Sequence, residues 1–306
     1  MPFLESGGAE RFGLSLDEIA VACASHVGSP AHVAAVESVL AKGGFSVADL
    51  RCGAHPPYDD ASAAALVRQG IPFSALHNNC SGKHAAMLLA CRLFGFDPAT
   101  YDAPGHPLQG RILEKIAFYA DFPAERIGIG VDGCSLPVFR LPVSRLAAAY
   151  ARLLVSAALP QEAAPAFAAR RRVVEAMTAA PFFVSGAGQF TTRFIDAGAG
   201  RWIGKEGAEG VYAIGVAAPV PLGLAFKIDD GGARARNPVA VDLLSRLGVW
   251  SEVPASLAGE VRPPITNVRG SAVGEVVVAV PVTASGKPPR AALDPWPRPV
   301  AARERA

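Results

Sequence analysis

Two β-rich runs, VYAIGVAA over 211–218 and LGLAFKID over 222–229, are joined by only Pro219, Val220 and Pro221. A parallel crossover needs a dozen or more residues, so a link this short forces an antiparallel hairpin. EVVVAVPV over 275–282 is another strand-like run, and RIGIGVDG over 126–133 a weaker one. Upstream, apolar residues recur at helical spacing. LSLDEIAVACASH sets Leu16, Ile19, Ala20 and Cys23 on one face, and Ser15 followed by Glu18 predicts a capping-box start. SPAHVAAVESVLAKGG predicts a second helix, with Pro30 in its first turn and Gly43 as the stop. SGKHAAMLLACRLFG predicts a third, ending at Gly95, followed by HPLQGRILEKIAFYADF and Ala-rich stretches around 142–157 and 161–179. Helices before and between antiparallel strands imply an α/β fold, with a mostly antiparallel sheet flanked by helices on both faces.

At 306 residues the chain suits one large domain, expected over 1–288, with the Pro- and Arg-rich segment 289–306 as a loose tail. With 51% hydrophobic and 18% charged residues it has material for a large core, which argues against disorder. The net charge is +2 and no basic block stands out, so neither nucleic acid nor an anionic membrane is an expected partner. MPFLESGGAERF lacks a basic-then-apolar leader, and no run of 18 apolar residues occurs, so the expected location is the cytoplasm. Cys23, Cys52, Cys80, Cys91 and Cys134 form an odd, sparse set, which disfavours a disulfide framework. No phosphate loop of Walker or Rossmann spacing is present.

The chemistry concentrates in HNNCSGKH, His77 to His84. Cys80 or Ser81 is the expected N-cap of the third helix, which puts Cys80, Lys83 and His84 on one face of its first turn. Helix N-termini favour a thiolate, the form that binds metals. Taken singly, Cys80 reads as a small buried hydrophobe and His84 as a core histidine. Four polar or reactive residues in one turn favour the functional reading. Asp132-Gly133-Cys134 offers a second thiol from a turn after a strand, and two cysteines plus one nitrogen would leave zinc one open position. Spacing alone selects His84 as that nitrogen, because imidazole is a far commoner ligand than lysine. Cys52 and His55 in RCGAH also have ligand-like spacing, but a buried loop explains each more simply. Ser25 in ACASH, taken alone, reads as a backbone-bonding serine, and Lys205 before the turn EGAEG as surface decoration.

Together, ESGGAERFGLS, ACASH, RCGAH, HNNCSGKHAAML, DGC, KEGAEGVYAIGV and LAFKIDDG, in that order, resemble the bacterial asparaginase II family, the rhizobial-type zinc-binding L-asparaginases. The likeness runs from about Glu5 to about Gly248. It implies a fold like that of serine β-lactamases and bacterial glutaminases, with Ser-Lys machinery. It makes Ser25 an active-site serine and Lys205 the lysine beside it. It assigns Zn2+ to Cys80, Lys83 and Cys134, so resemblance implies lysine where spacing selects histidine. His84 and Asp132 would then grip the α-amino or α-carboxylate group of the substrate. The family also carries an Arg-Ser-x-x-Lys segment just before the stretch matching Pro2–Gly7. No serine in this sequence has lysine three places on; Ser81 and Ser285 have it two places on. By resemblance that segment supplies a serine nucleophile whose proton the neighbouring lysine takes, and Ser25 with Lys205 is the pair that remains. The segment, with the first strands of the sheet, is expected either upstream of Met1 or to be missing from a shortened, impaired paralogue.

The expected activity is hydrolysis of the side-chain amide of L-asparagine to L-aspartate and ammonia through a Ser-Lys acyl-enzyme, in a homodimer. The alternatives are a catalytically impaired paralogue that only binds an amino-acid-like ligand, and another serine amidase of the same fold, such as a β-lactam or peptidase-type acylase. A zinc deaminase using metal-bound water fits poorly, because neither H-x-E nor P-C-x-x-C occurs.

Overall fold

The structure is a computed structural model that describes residues 1–154 and 163–279. Seven helices come first: α1 (Pro2–Glu5), α2 (Gly8–Phe12), α3 (Leu16–Ala22), α4 (Pro30–Gly43), α5 (Asp60–Gln69), α6 (Ser81–Phe94) and α7 (Pro107–Ala120). The hairpin β1 (Gly128–Val131) and β2 (Pro137–Arg140) follows, then α8 (Val143–Leu154), α9 (Ala164–Ala179), α10 (Pro181–Val184) and α11 (Phe190–Ala197). β3 (Trp202–Glu206), β4 (Val211–Val216) and β5 (Leu222–Lys227) precede α12 (Ala233–Arg246), β6 (Pro264–Thr266) and β7 (Ala272–Glu275).

The expected hairpin is β4–β5, with Ala213 opposite Ala225, and β3 adds to its other side with Lys205 opposite Ala213. The strands divide among three antiparallel sheets rather than one: β1–β2, β3–β4–β5 and β6–β7. The three-stranded sheet is flanked as expected. α8 lies across β4 and β5, while α11 packs on β3 and α12 on β4. Alternation sends Tyr212 and Ile214 to the α11 side, where Phe190, Phe194 and Trp202 stack in sequence. The opposite face carries Gly215 and Gly223 against α8, and a Cβ on Gly223 would sit 1.9 Å from the Ala147 carbonyl oxygen. Only a residue without a side chain allows the helix that close.

The helix boundaries follow their caps. Ser15 Oγ accepts the Glu18 N–H and the Glu18 carboxylate accepts the Ser15 N–H, which completes the expected capping box on α3. α6 ends at Gly95 as expected. α4 runs through Gly43 and stops on Gly44, whose φ of 68° forms the left-handed cap, so the stop lies one residue later than the sequence reading placed it. The run 275–282 is a second correction. β7 covers Ala272–Glu275, and 276–279 carry no strand. Its partner β6 is three residues long, and among the described residues the Val276 N–H bonded to Pro263 O is the last rung, so Val277 and Val278 add no strand. Residues 280–282, 155–157 and 161–162 of the predicted elements, and the 289–306 tail, lie outside the described residues. No helix among the described residues is long and apolar enough to cross a membrane.

Gly223→Ala is expected to destabilise the fold by about 1–3 kcal/mol, because the added methyl meets fixed backbone of α8. Urea unfolding of wild type and variant measures the difference.

Candidate active site

The segment after α3 is held open on both sides by backbone bonds. Ser25 N–H donates to Val184 O, Val27 N–H to Ser185 O, and His26 N–H to Asn79 O. Ser25 is thereby fixed, half-buried, at the end of the sheet that bears β3. Lys205 Nζ donates to Ser25 Oγ at 2.6 Å and to its neighbour's carbonyl, Glu206 O, at 2.6 Å. Burial lowers the pKa of Lys205 and the charge of Lys83 adds to this, against an opposing pull from Glu206. The Glu206 carboxylate is itself anchored: it accepts Ser185 Oγ–H at 2.7 Å and Thr191 Oγ1–H, and Thr191 bonds Tyr212 at 2.9 Å. Ser25 and Lys205, 180 positions apart, meet because the α3 loop and the end of β3 share the 184–185 segment as a neighbour.

The first turn of α6 packs on the same loop. A Cβ at Gly82 would lie 2.3 Å from Val21 O, so glycine lets this turn press against the end of α3. His26, fully buried, accepts the Gly28 N–H on Nδ1 at 3.1 Å and therefore donates from Nε2 to Ser81 Oγ at 2.9 Å. Ser81 passes its proton to Leu76 O at 3.0 Å. Burial lowers the His26 pKa to about 3, so this link stays neutral. Asn78 latches the turn to the preceding loop: its Nδ2 donates to Cys52 O and Gly53 O, and its Oδ1 accepts the Cys80 N–H at 2.9 Å. Cys80 is the N-cap of α6 and makes no side-chain cap bond, which leaves its sulfur free for other work.

The β1–β2 turn brings the second cysteine. Asp132 N–H donates to Leu136 O and Ser135 adopts a left-handed φ of 74°, which curls the turn and points Cys134 inward, buried. The ligand atoms of Cys80, Asp132 and Cys134 all lie within 4.8 Å of one another, and Cys134 Sγ–H donates to Asp132 Oδ2 at 3.1 Å. A hydrogen bond from Cys134 and, against burial, the charge of Lys83 lower Cys80 to about 6, a shift toward the thiolate. The same shared proton and burial raise Cys134, while a hydrogen bond from His84 acts the other way. Burial disfavours the Lys83 ammonium, but Cys80, Cys134 and Asp132 outweigh it and raise its pKa. Two sulfurs, a carboxylate and an amine thus converge where one cation could be held. Cys52, pushed up to about 11 by burial, donates its thiol to Ala75 O, and His55 accepts the Asn79 N–H while donating to Pro56 O. Both serve the loop.

The family model described as L-asparaginase II matches residues 1–278. The chain belongs to that family. The match is longer than the stretch of motifs that first carried the resemblance, and extends through the β6–β7 hairpin. No curated protein matches the chain. Family membership makes this an L-asparaginase-like amidohydrolase acting on asparagine-like small molecules.

Within this asparaginase II chain, Ser25 meets Lys205, while Cys80, Lys83, Asp132, Cys134 and His84 gather at the start of α6. Tyr101 and Glu206 went unnoticed in the sequence, Tyr101 because it stands in an irregular loop 17 positions after its partner His84. Glu206 lies directly beside Lys205 in the KEGAEG motif, and an acidic residue next to that lysine was a readable signal. Asn78→Ala is expected to cost about 1–3 kcal/mol in urea unfolding, because it strands the buried Cys80 N–H and the Cys52 carbonyl.

Proposed function

We propose that the chain hydrolyses L-asparagine to L-aspartate and ammonia, with Ser25 as nucleophile and Lys205 as its base. The single observation that supports this is the 2.6 Å contact between a half-buried serine hydroxyl and a lysine whose pKa burial lowers. Neutral Lys205 takes the Ser25 proton as Oγ attacks the side-chain amide carbon. The same ammonium returns that proton to the departing nitrogen, ammonia leaves, and a β-aspartyl ester remains on Ser25. Water, deprotonated by Lys205, then attacks the ester, and the proton passes back to Ser25 as aspartate departs. The homodimer and the cytoplasmic location remain part of this reading.

Zinc fits the second half of the site on the chemistry of its donors: two sulfurs that bind as thiolates, with Lys83 or His84 as the nitrogen. Bound there, the ion supplies a fixed positive charge that fixes the shape of the site and orients substrate; two thiolates leave it too little charge for water activation. Asp132, half-buried beside the cysteines, is the group proposed to hold the substrate's α-amino group, with His84 as its companion on the α-carboxylate.

Ser25→Ala and Lys205→Met are each expected to lower kcat for ammonia release at least about 1000-fold, and Lys205→Arg equally, because guanidinium cannot act as base. Binding of asparagine with no ammonia from wild type would favour a binding protein instead. The base works only when neutral, so kcat/KM should fall as pH drops through the pKa of Lys205. That pKa lies below the ordinary lysine value because burial penalises the charge. A pH profile flat through this range would count against Lys205 as base. Chelation is expected to weaken substrate affinity, and a chelated sample of unchanged affinity and rate would sink the zinc assignment.

A further inference from the structure

β3 pairs with β4 so that Glu206 stands opposite Tyr212, and alternation along the strand sends Glu206 to the face away from Lys205. Tyr212 is fully buried, and a Cβ at Gly204 would lie 2.8 Å from its hydroxyl oxygen, so glycine makes room for that oxygen beside the strand. From there the hydroxyl reaches Thr191 Oγ1 at 2.9 Å. Thr191 has one hydrogen, and it goes to Glu206 Oε2. Tyr212 is therefore the donor to Thr191, and burial raises its pKa well above the ordinary value, which keeps that hydrogen in place. Ser185 donates to the other carboxylate oxygen, Oε1, at 2.7 Å. Thr191 and Ser185 are each 1% exposed, so both hydroxyls are aimed at the carboxylate rather than at water.

These hydroxyls stand beside the backbone that holds the Ser25 loop. Ser185 O accepts the Val27 N–H and Val184 O the Ser25 N–H, while Thr191 lies in the first turn of α11. The Glu206 carboxylate thus joins the end of β3 to the segment on which Ser25 hangs. Its backbone acts on the other partner: Lys205 Nζ donates to Glu206 O at 2.6 Å, the same distance as to Ser25 Oγ. One residue therefore holds both ends of the contact, the amine through its carbonyl and the Ser25 loop through its carboxylate.

We propose that Glu206 is a positioning residue for the Ser25–Lys205 pair: clamped by Ser185 and Thr191, it fixes the separation of hydroxyl and amine. This rests on the hydrolytic reading above. The charge of Glu206 has a second effect. Burial pushes the Lys205 pKa down and Glu206 pulls it up; Lys83 on α6 pushes down, and Cys80 at the start of α6 and Cys23 at the end of α3 pull up. Tyr150 of α8 and Arg236 of α12 also face this cluster, Arg236 at 5.7 Å from the centre of the Tyr212 ring. Without the Glu206 charge, burial and Lys83 meet less opposition, so the base becomes neutral at lower pH.

Glu206→Gln, Thr191→Val and Thr191→Ser in the full chain test this through kcat, KM and the acid limb of kcat/KM for ammonia release from L-asparagine. Thr191→Val is expected to lower kcat about 100-fold, the scale of a misplaced reacting group, with KM little changed. Thr191→Ser keeps the hydroxyl and recovers most of that loss. Glu206→Gln is expected to lower kcat similarly and to move the acid limb to lower pH, while Thr191→Val moves it no lower. Loss of packing alone would not shift the limb. Wild-type kcat in Thr191→Val, a serine variant as impaired as the valine one, or an unmoved acid limb in Glu206→Gln would each overturn the proposal. Titration of the Lys205 Cε signal by NMR, assigned by its loss in Lys205→Met, reads the same charge without turnover. Were wild type to release no ammonia, the hydrolytic reading would fall, and this titration would still decide whether Glu206 acts on the amine. A lower Lys205 pKa in Glu206→Gln supports that action, and an unchanged one refutes it. The Thr191 variants stand even if Glu206→Gln fails to fold.

Discussion

The contact between Lys205 and Ser25 sets the terms for everything around it. An ammonium taken out of water costs several kcal/mol unless it is paired, so a buried lysine either finds anions or gives up its proton more readily. Among the described residues Glu206 is the carboxylate that acts on Lys205, with smaller pulls from Cys80 and Cys23, and that carboxylate already accepts from Ser185 and Thr191. Lys83 adds a like charge from α6. Burial is the largest influence and holds the pKa of Lys205 below the ordinary lysine value, the direction that the proposed role as base needs. The sheet supplies the rigidity: Lys205 sits in a strand that pairs along its length with β4, whose other edge pairs with β5.

The metal-like cluster is not an independent module. Its first turn is pressed onto α3 through Gly82 and tied to the Ser25 loop through His26 and Ser81. A shift of the Cys80–Lys83 turn therefore moves the backbone that presents Ser25. His26 stays neutral, so the tie does not loosen in mild acid. The two-cysteine cluster and the Ser25–Lys205 contact are thus braced against one another.

Much of the fold was legible because local signals agreed with one another. The capping box of Ser15 and Glu18, Gly95 after α6 and the short Pro-containing link of β4 and β5 each act within a few residues. What misled was a strand-rich run whose partner is too short. EVVVAVPV is rich in valine, but over its described residues strand formation depends on β6, and β6 ends after three residues. The site was legible as residue types, since HNNCSGKH and DGC stand out on any reading. Their pairing was not, because nothing in spacing says that the turn after β1 folds back onto the N-cap of α6. Tyr101 was invisible for the same reason: its role is set by a tertiary hydrogen bond to His84, which leaves no periodicity.

The central claim is that Ser25 carries the acyl group, with Lys205 as its base. Acid quenching during turnover of L-asparagine, followed by peptide mass spectrometry, tests it most directly. The account predicts a β-aspartyl ester on the peptide containing Ser25, absent when Lys205 is replaced by Met. Steady ammonia release with Ser25 unmodified, or an ester on a different residue, would contradict it.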